Sequence, residues 1–339
     1  MGIRLLEKPI VEKIKFEKNQ PVQLELPQDN PFRRLILDFT IAIAAGATPA
    51  TTPKSNDFLN LIKKITLEFG STGKQFSISA VDKYFLDLFD FGTLPHKDAL
   101  STPTANNTTT MTFKTIFDFA QNRKVLSDFT ALFDAPSKDS VTLTIEFGDI
   151  SDVYGTVNTT TIDSSTECQV SVLEAFEDPN VEGQSLEDAL KDALDIRLGV
   201  EEIKIEEAHA SFDDDIQEIK VLPVPSVILG QLMFAKLNIT DGDPTFDDSV
   251  VTQMKLQNVS GAGETIFQEY WDRMAIANKT DFGLETLPAG MLFFDAKDQR
   301  QGGIRNLDVE ALKLRILTAA PAAGKKNALR ILKRYIPLT

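Results

Sequence analysis

The sequence is poor in the side chains that metal binding and catalysis use most often. Its 339 residues include one cysteine and two histidines. A single cysteine excludes an internal disulfide, and two isolated histidines supply neither a zinc cage nor a catalytic triad with a choice of bases. We predict that Cys168 is a small buried hydrophobic residue and that His96 and His209 lie in loops or at the surface. No cofactor and no metal are predicted.

Sequence motifs for nucleotide binding and for nucleophilic catalysis are also missing. There is no phosphate-binding glycine-rich loop, no dinucleotide fingerprint and no nucleophile elbow. The tripeptide D-F-G occurs at residues 90–92 and 281–283, but without the other protein-kinase motifs its repetition indicates a structural turn. We therefore predict that the chain is not an enzyme.

Long hydrophobic runs are absent as well. No window reaches the roughly 18 apolar residues of a membrane-spanning helix. The first fifteen residues are interrupted by Glu7, Lys8, Glu12, Lys13 and Lys15, which leaves no apolar core for a secretory signal peptide. We expect the protein to be made and assembled in a cytoplasm.

The charge is strongly negative but unevenly distributed. The formal net charge is -15, which disfavours sequence-specific binding of nucleic acid by the surface as a whole. Residues 311–339 contain no acidic side chain but seven basic ones, namely Lys313, Arg315, Lys325, Lys326, Arg330, Lys333 and Arg334. This basic end either meets phosphate groups of lipid or nucleic acid, or is the exposed face of a strand that happens to be basic.

Two further polar features have open interpretations. Acidic clusters at residues 213–215 and 241–248 lack the spacing of an EF-hand, and we interpret them as solvated loops, with cation binding as the alternative. Six N-x-S/T sequons occur in Thr-rich surroundings, which indicates exposed loops, with glycosylation as the alternative. The sequon asparagines are Asn106, Asn107, Asn158, Asn238, Asn258 and Asn278.

Hydrophobic residues alternate with polar ones over much of the chain, which is the period of β-strands. Strands are predicted within residues 35–43, 65–69, 110–119 and 141–147, and the 23 phenylalanines suit cores that need no hydrogen-bond partner. Two helices are predicted in connections, at residues 80–91 and at residues 185–198 with Ser185 as the N-cap and Gly199 after the end. Together these patterns predict an all-β sandwich with short helices in the connections.

The two halves of the chain repeat each other in order. Four segments of the first half have counterparts at nearly constant spacing, which indicates duplication. We predict a first domain at residues 1–180, a helical linker at 181–200 and a second domain at 201–339. The matching pairs are residues 26–41 with 222–239, 65–73 with 254–263, 90–95 with 281–288, and 141–147 and 168–176 with 312–317 and 328–335.

This layout resembles the double jelly-roll major capsid proteins of tailless icosahedral double-stranded DNA viruses, the lineage of adenovirus hexon. The resemblance rests on the strand that follows residues 19–21, on P-F-R-R-L-I-L-D-F-T-I at residues 31–41, on the hairpin at residues 57–74, and on the repetition of this plan after Ile219. It covers nearly the whole chain but includes no signature motif.

The resemblance implies two tandem eight-stranded jelly rolls, a homotrimer that forms a pseudo-hexagonal capsomer, and a virion shell tiled by such capsomers. Its partners would be neighbouring capsomers, minor capsid or vertex proteins and, in some members, an internal lipid membrane. Chain ends tend to lie at the capsomer base in this family. By that analogy the residues facing the particle interior would be Lys325, Lys326, Arg330, Lys333 and Arg334.

Two other classes of protein remain to be weighed. A carbohydrate-binding or host-attachment β-sandwich needs exposed aromatic side chains on one face, and the chain has only one tryptophan and four tyrosines. An enzyme of the bicupin type is also built of paired barrels but needs clustered histidine ligands. Both are weaker interpretations than the capsid protein.

Overall fold

Two compact units make up the structure, which is a computed structural model of the chain. The first unit is Met1–Ile196 and the second is Arg197–Thr339. Within the residues described here, no helix is both long and apolar enough to cross a lipid bilayer. The structure describes residues 2–70, 73–120, 129, 131–212, 219–220, 226–240, 243–248, 250–258, 265–295, 312–321 and 326–337.

The first unit contains twelve of the strands and three α-helices. Its strands are β1 (Gly2–Pro9), β2 (Ile14–Lys15), β3 (Pro21–Glu25), β4 (Phe32–Ala45), β5 (Thr51–Pro53), β6 (Ile62–Phe69), β7 (Gly73–Ile78), β8 (Thr108–Asp118), β9 (Val141–Phe147), β10 (Tyr154–Thr156), β11 (Thr160–Ile162) and β12 (Glu167–Asp178). Its helices are α1 (Ala80–Phe91), α2 (Ile150–Val153) and α3 (Leu186–Lys191), with 3₁₀ turns at Asp57–Leu61 and Ala135–Ser137.

Eight of these strands form a jelly roll. One sheet has the order β1-β12-β4-β8 and the other has the order β3-β9-β6-β7, with antiparallel neighbours throughout. Successive strands of these eight alternate between the two sheets except at the β6–β7 hairpin, as in a double Greek key. Strands β2 and β11 extend the first sheet, and β5 and β10 form a separate ribbon.

The second unit repeats this arrangement. It contains β13 (Arg197–Ile205), β14 (Ile219–Lys220), β15 (Ser226–Thr240), β16 (Asp243–Phe246), β17 (Val251–Asn258), β18 (Thr265–Tyr270), α4 (Trp271–Phe282), β19 (Met291–Asp295), β20 (Leu312–Thr318) and β21 (Lys326–Pro337). Its two sheets have the orders β13-β21-β15-β19 and β14-β20-β17-β18, and β16 pairs with β15. The core between them includes Met254, Trp271, Leu314 and Ile331.

The predicted fold and the duplication are confirmed. The matched segments fall on β4 and β15, β6 and β17, β9 and β20, and β12 and β21, which hold equivalent places in the two jelly rolls. The repeated D-F-G closes α1 and α4, where Gly92 and Gly283 have φ angles of 78° and 64°. Glycine adopts this left-handed conformation without steric cost, so each D-F-G is a helix end.

The helix predicted at residues 80–91 has the bounds of α1, and its N-cap is Ser79, whose hydroxyl accepts a hydrogen bond from the Asp82 N–H. The helix predicted at residues 185–198 was wrong beyond Lys191. Residues from Arg197 onward pair with β21 instead, and Gly199 lies inside β13. The ladder hydrogen bonds of the second unit outweighed the local helical pattern.

The position of α3 also bears on the predicted domain limits. Ala189 packs with Leu132 and Ala175 of the first unit, beside Leu186 and Leu190. The predicted linker at residues 181–200 therefore contains a helix packed on the first jelly roll and the first residues of β13. The division between the two compact units falls within this predicted linker, between residues 196 and 197.

A buried ionic cluster ties β4 to β8. Against β12, Leu173 pairs with Arg34 and Glu174 pairs with Phe32, so Arg33 is the extra residue of a β-bulge. Arg33 and Arg34 consequently reach the same carboxylate: their Nε atoms lie 2.9 and 2.6 Å from the two oxygens of Asp118. The side chains of Arg33 and Asp118 are 0% exposed. This cluster joins two neighbouring strands at one end of their ladder.

A second buried tie links each jelly roll's long helix to the strand that follows it. In α1, Lys83 forms an ion pair with Asp87 and donates to the Ile116 carbonyl at 2.7 Å, while the Thr115 hydroxyl donates to Asp87 at 2.8 Å. Burial raises the pKa of Asp87 to about 6, although Lys83 and Thr115 oppose the shift. The whole tie lies between α1 and β8.

The second unit makes the equivalent tie without charge. Asn278 and Asp87 each lie four residues before the last residue of their helix, and Met274 takes the place of Lys83. The Asn278 amide donates to the Phe293 carbonyl at 2.7 Å and accepts from the Phe293 N–H at 2.6 Å. Helix α4 is thereby joined to β19 by neutral hydrogen bonds.

Replacing Asp118 by alanine should lower the free energy of unfolding by about 3–5 kcal/mol, because two arginines lose their carboxylate in a buried site. Urea denaturation measures the loss. The control is Asp38→Ala in β4, whose carboxylate lies 3.3 Å from Lys114 with both side chains well exposed; it should cost less than about 1 kcal/mol. Equal losses in the two variants would contradict the importance of the buried cluster.

The Asp87→Asn variant should differ from the native chain in its dependence on pH. The folded state takes up a proton at Asp87 near pH 6, whereas the unfolded state does so near 3.8. The native chain should therefore gain stability relative to D87N as the pH falls from 6 towards 4, by at most about 1.4 kcal/mol per pH unit. Denaturation curves across this range measure the difference.

The converse substitution, Asn278→Asp, places a carboxyl at the equivalent buried position of α4. It should destabilise the protein at pH 7, and acidification should relieve the loss. If the free energies of unfolding of the native chain and of D87N changed in parallel between pH 4 and 6, the assigned titration of Asp87 would be ruled out.

Candidate functional site

The basic C-terminal segment forms an interior strand of the second unit. Strand β21 lies between β13 and β15. It carries four of the five basic residues that the sequence analysis predicts to face the interior of a virus particle. These four are Lys326, Arg330, Lys333 and Arg334; the fifth, Lys325, lies outside the described residues. Leu329 and Ile331 of the same strand face the core, as the alternating pattern predicts.

Two of the four cations form ion pairs across the ladder. Arg330 Nη2 lies 3.1 Å from Glu202 Oε2, and Lys333 Nζ lies 3.1 Å from Glu201 Oε2. Both carboxylates belong to β13, in which Glu202 is directly opposite Arg330. The charges of this part of β21 are thus largely balanced by the neighbouring strand.

The remaining two cations differ in exposure. Arg334 is buried, whereas Lys326 at the start of β21 is exposed. The structure therefore brings together a ladder of paired charges with one exposed lysine at its end, rather than a continuous basic surface. That these residues face a particle interior stays a prediction.

The other polar candidates have structural surroundings where they are described. Residues 213–215 lie outside the described part of the chain, and at the second acidic cluster Asp248 accepts a hydrogen bond from the Gly290 N–H at 2.6 Å. Among the residues that the structure describes, no three His, Cys, Asp or Glu side chains are grouped closely enough to hold a metal ion.

Cys168 and the two histidines lie where the sequence indicated. Cys168 is fully buried, and burial raises the pKa of its thiol well above the usual value. His96 is exposed and lies 3.4 Å from Asp98. His209 is half-buried outside the regular strands, bridged to Thr318 of β20.

The sequon asparagines fall in different environments. Asn106 and Asn107 lie in an exposed Thr-rich loop, as predicted. Asn158 is exposed, but its amide donates to the Pro49 carbonyl at 2.8 Å. Asn278 is buried in its tie to β19, so it is not available for modification in the folded chain. The side chains of Asn238 and Asn258 lie outside the described residues.

The buried Lys83–Asp87 pair was not predicted. Its signal in the sequence is an i, i+4 pair of opposite charges in a helix that also contains Asp82 and Asp90. Most such pairs lie on solvated faces, so the spacing alone does not distinguish this one. Its burial follows from the position of α1, which places the pair against Thr115, Ile116 and the ring of Phe117.

Comparison with solved structures shows the same fold in viral capsid proteins. The major capsid protein of Sulfolobus turreted icosahedral virus matches with a TM-score of 0.71 at 13% identity, over 98% of this chain and 97% of that chain. The PBCV-1 virus capsid matches with a TM-score of 0.59 at 12% identity, over 98% and 94%. The major capsid protein P2 of bacteriophage PM2 matches with a TM-score of 0.53 at 9% identity, over 99% and 98%.

Other comparisons were negative: no protein-family model matches the chain, and no curated protein matches it. At identities of 9–13% the structural likeness establishes the fold. The resemblance found in the sequence is therefore confirmed at that level: the chain has the double jelly-roll fold over nearly its whole length, as these capsid proteins do.

The charge pairing of β21 predicts how its cations respond to loss of their partners. The Glu201→Gln and Glu202→Gln double variant should bind vesicles of phosphatidylglycerol more tightly than the native chain, because Arg330 and Lys333 lose the carboxylates that balance them. Cosedimentation measures binding. The control is the Glu7→Gln and Glu12→Gln double variant, which removes the same amount of charge near the N-terminus. If both double variants gained the same vesicle binding, the gain would come from net charge and not from the release of Arg330 and Lys333.

Proposed function

We propose that this protein is a major capsid protein that assembles as a homotrimer into pseudo-hexagonal capsomers, which tile an icosahedral virion shell. The observation that carries the proposal is the repetition of one jelly-roll strand order in both units of a chain whose whole length shares the fold of viral major capsid proteins.

The duplication explains why three copies suit such a shell. A closed ring of three identical chains has threefold symmetry. Because each chain holds two jelly rolls of the same strand order, a trimer contains six similar domains and approaches a hexagonal outline. Hexagonal units tile a surface without gaps, so the duplicated fold suits shell building.

The role is structural rather than enzymatic. Support comes from the use made of buried polar side chains: Asp118, Asp87 and Asn278 each join one element of the fold to another. A carbohydrate-binding or attachment module is less well supported. It needs several exposed aromatic side chains, and in the described part of the chain Tyr270 is the aromatic that is more than a third exposed.

The proposed location is the shell of the virion, after assembly in the host cytoplasm. Its partners there are neighbouring capsomers and minor capsid or vertex proteins, with an internal lipid membrane as a further partner in some viruses of this type. The proposed orientation turns the basic C-terminal end, with Lys325, Lys326, Arg330, Lys333 and Arg334, towards the anionic contents. Its support is the charge distribution of the sequence and the exposed Lys326, since Arg330 and Lys333 are paired with carboxylates and Arg334 is buried.

Light scattering of the purified chain tests the proposal. We expect a mass of three times the 37.5 kDa monomer that persists on dilution, and negative-stain images with a hexagonal outline. Measurement at low and at high salt controls for loose electrostatic association, which salt weakens. A chain that remains monomeric at high concentration would contradict the proposal.

A further inference from the structure

Strands β1 and β18 are two of the strands that lie at a sheet edge in the described part of the structure. Strand β1 pairs with β12 on one side, and β18 pairs with β17 on one side; the other edge of each has no strand partner among the described residues. An open edge presents unpaired backbone N–H and C=O groups, which a strand of another chain can bind. The edges are of similar length, eight residues in β1 and six in β18.

Exposed apolar side chains lie in these two strands and in the segments that follow them. Among the described residues, seven large hydrophobic side chains are exposed by more than a third. The four most exposed are Leu6 (52%) in β1, Val11 (99%) in the turn after β1, Tyr270 (53%) at the end of β18 and Ile276 (67%) in α4, the helix that follows β18. Clustered exposed apolar residues mark contact surfaces.

The basic side chains of β1 form ion pairs within their own sheet. Basic residues on an edge strand usually hinder pairing with another chain. Here Arg4 lies 3.4 Å from Asp178 and Lys8 lies 3.3 Å from Glu174, both on β12. Leu6 lies between them on the same face of the strand, and its side chain is exposed.

The charged side chains near the two edges are paired within the chain. Residues 2–15 carry Arg4, Lys8, Lys13 and Lys15 against Glu7 and Glu12. Residues 265–276 carry Glu269 and Asp272 against Arg273. Arg4, Lys8, Lys13 and Lys15 are each paired with a carboxylate of β12, and Glu269 is paired with Arg273, so these charges are largely balanced within the chain. The case for a contact between the two strands therefore rests on their open edges and on the exposed apolar side chains.

We propose that β1 of one copy of this chain pairs with β18 of a second copy, with Leu6 and Val11 packing near Tyr270 and Ile276. The inference rests on the proposed homotrimer, for which it supplies the contact. A threefold ring needs an interface between two different surfaces of the chain, and β1 and β18 are such a pair. Pairing of β1 with another β1 would instead give a twofold dimer.

Chemical cross-linking tests the pairing in the full-length protein. The Leu6→Cys and Tyr270→Cys double variant is treated with a short bis-maleimide, and the products are separated on a denaturing gel. Both positions are exposed, so the substitutions leave the core unchanged. Cys168 is fully buried and supplies little background reaction.

We expect covalently linked dimers and trimers from the double variant and almost only monomers from L6C or Y270C alone. The matched control is L6C with Leu94→Cys, which moves the second thiol to another exposed hydrophobic position and should yield mainly monomers. Cross-linked dimers from L6C alone would overturn the pairing, since they require contact between two copies of β1.

Light scattering of the native chain separates the two proposals. If the chain is a trimer and L6C/Y270C does not cross-link, the pairing of β1 with β18 is wrong while the proposed function stands. If the native chain is a monomer at every concentration, the proposed function and the pairing both fail. A trimer that cross-links only in L6C/Y270C supports both.

Discussion

The first jelly roll depends on the ladders of its central strand, β4. This strand of 14 residues pairs with β12 along one edge and with β8 along the other. Most of its side chains are buried, because the core lies on one face and further structure covers much of the other. The bulge at Arg33 lets two adjacent arginines reach Asp118, so charge and backbone pairing fix the same end of the ladder. Every other strand of the first sheet takes its position from β4 or β12.

The duplicated units show two solutions to one packing problem. In each jelly roll a long helix follows the fifth of the eight strands, which is β7 or β18. A buried polar contact joins this helix to the sixth strand, which is β8 or β19. In the first unit the contact is the Lys83–Asp87 pair, which carries a desolvation cost that shows in the raised pKa of Asp87. In the second unit Asn278 bonds to the backbone of β19 and needs no counterion. Both units therefore have a buried polar contact at this place, but only the first unit uses charged side chains for it.

Local patterns in the sequence predicted much of the fold, because period-two alternation and helix end signals are properties of short segments. β9 shows this: Val141, Leu143, Ile145 and Phe147 are all buried. The helix predicted at residues 185–198 was wrong in its second half, since pairing with β21, more than a hundred residues away, decided the conformation from Arg197 onward. Separation in sequence also explains why the ion pairs of the basic strand β21 were not predicted. The sequence shows the positive charges of Arg330 and Lys333, but their partners Glu202 and Glu201 become neighbours only in the folded sheet.

The pairing of β1 with β12 has a consequence for synthesis on the ribosome. Arg4 and Asp178, which meet across this pair, are 174 residues apart in sequence. The first jelly roll therefore cannot close until nearly all of its chain has left the exit tunnel, and β1 must wait unpaired in the meantime. Contacts so distant in sequence make folding slow and leave strand edges open to other nascent chains. Tandem duplication eases this demand, because the first unit can complete its sheets while the second is still being made.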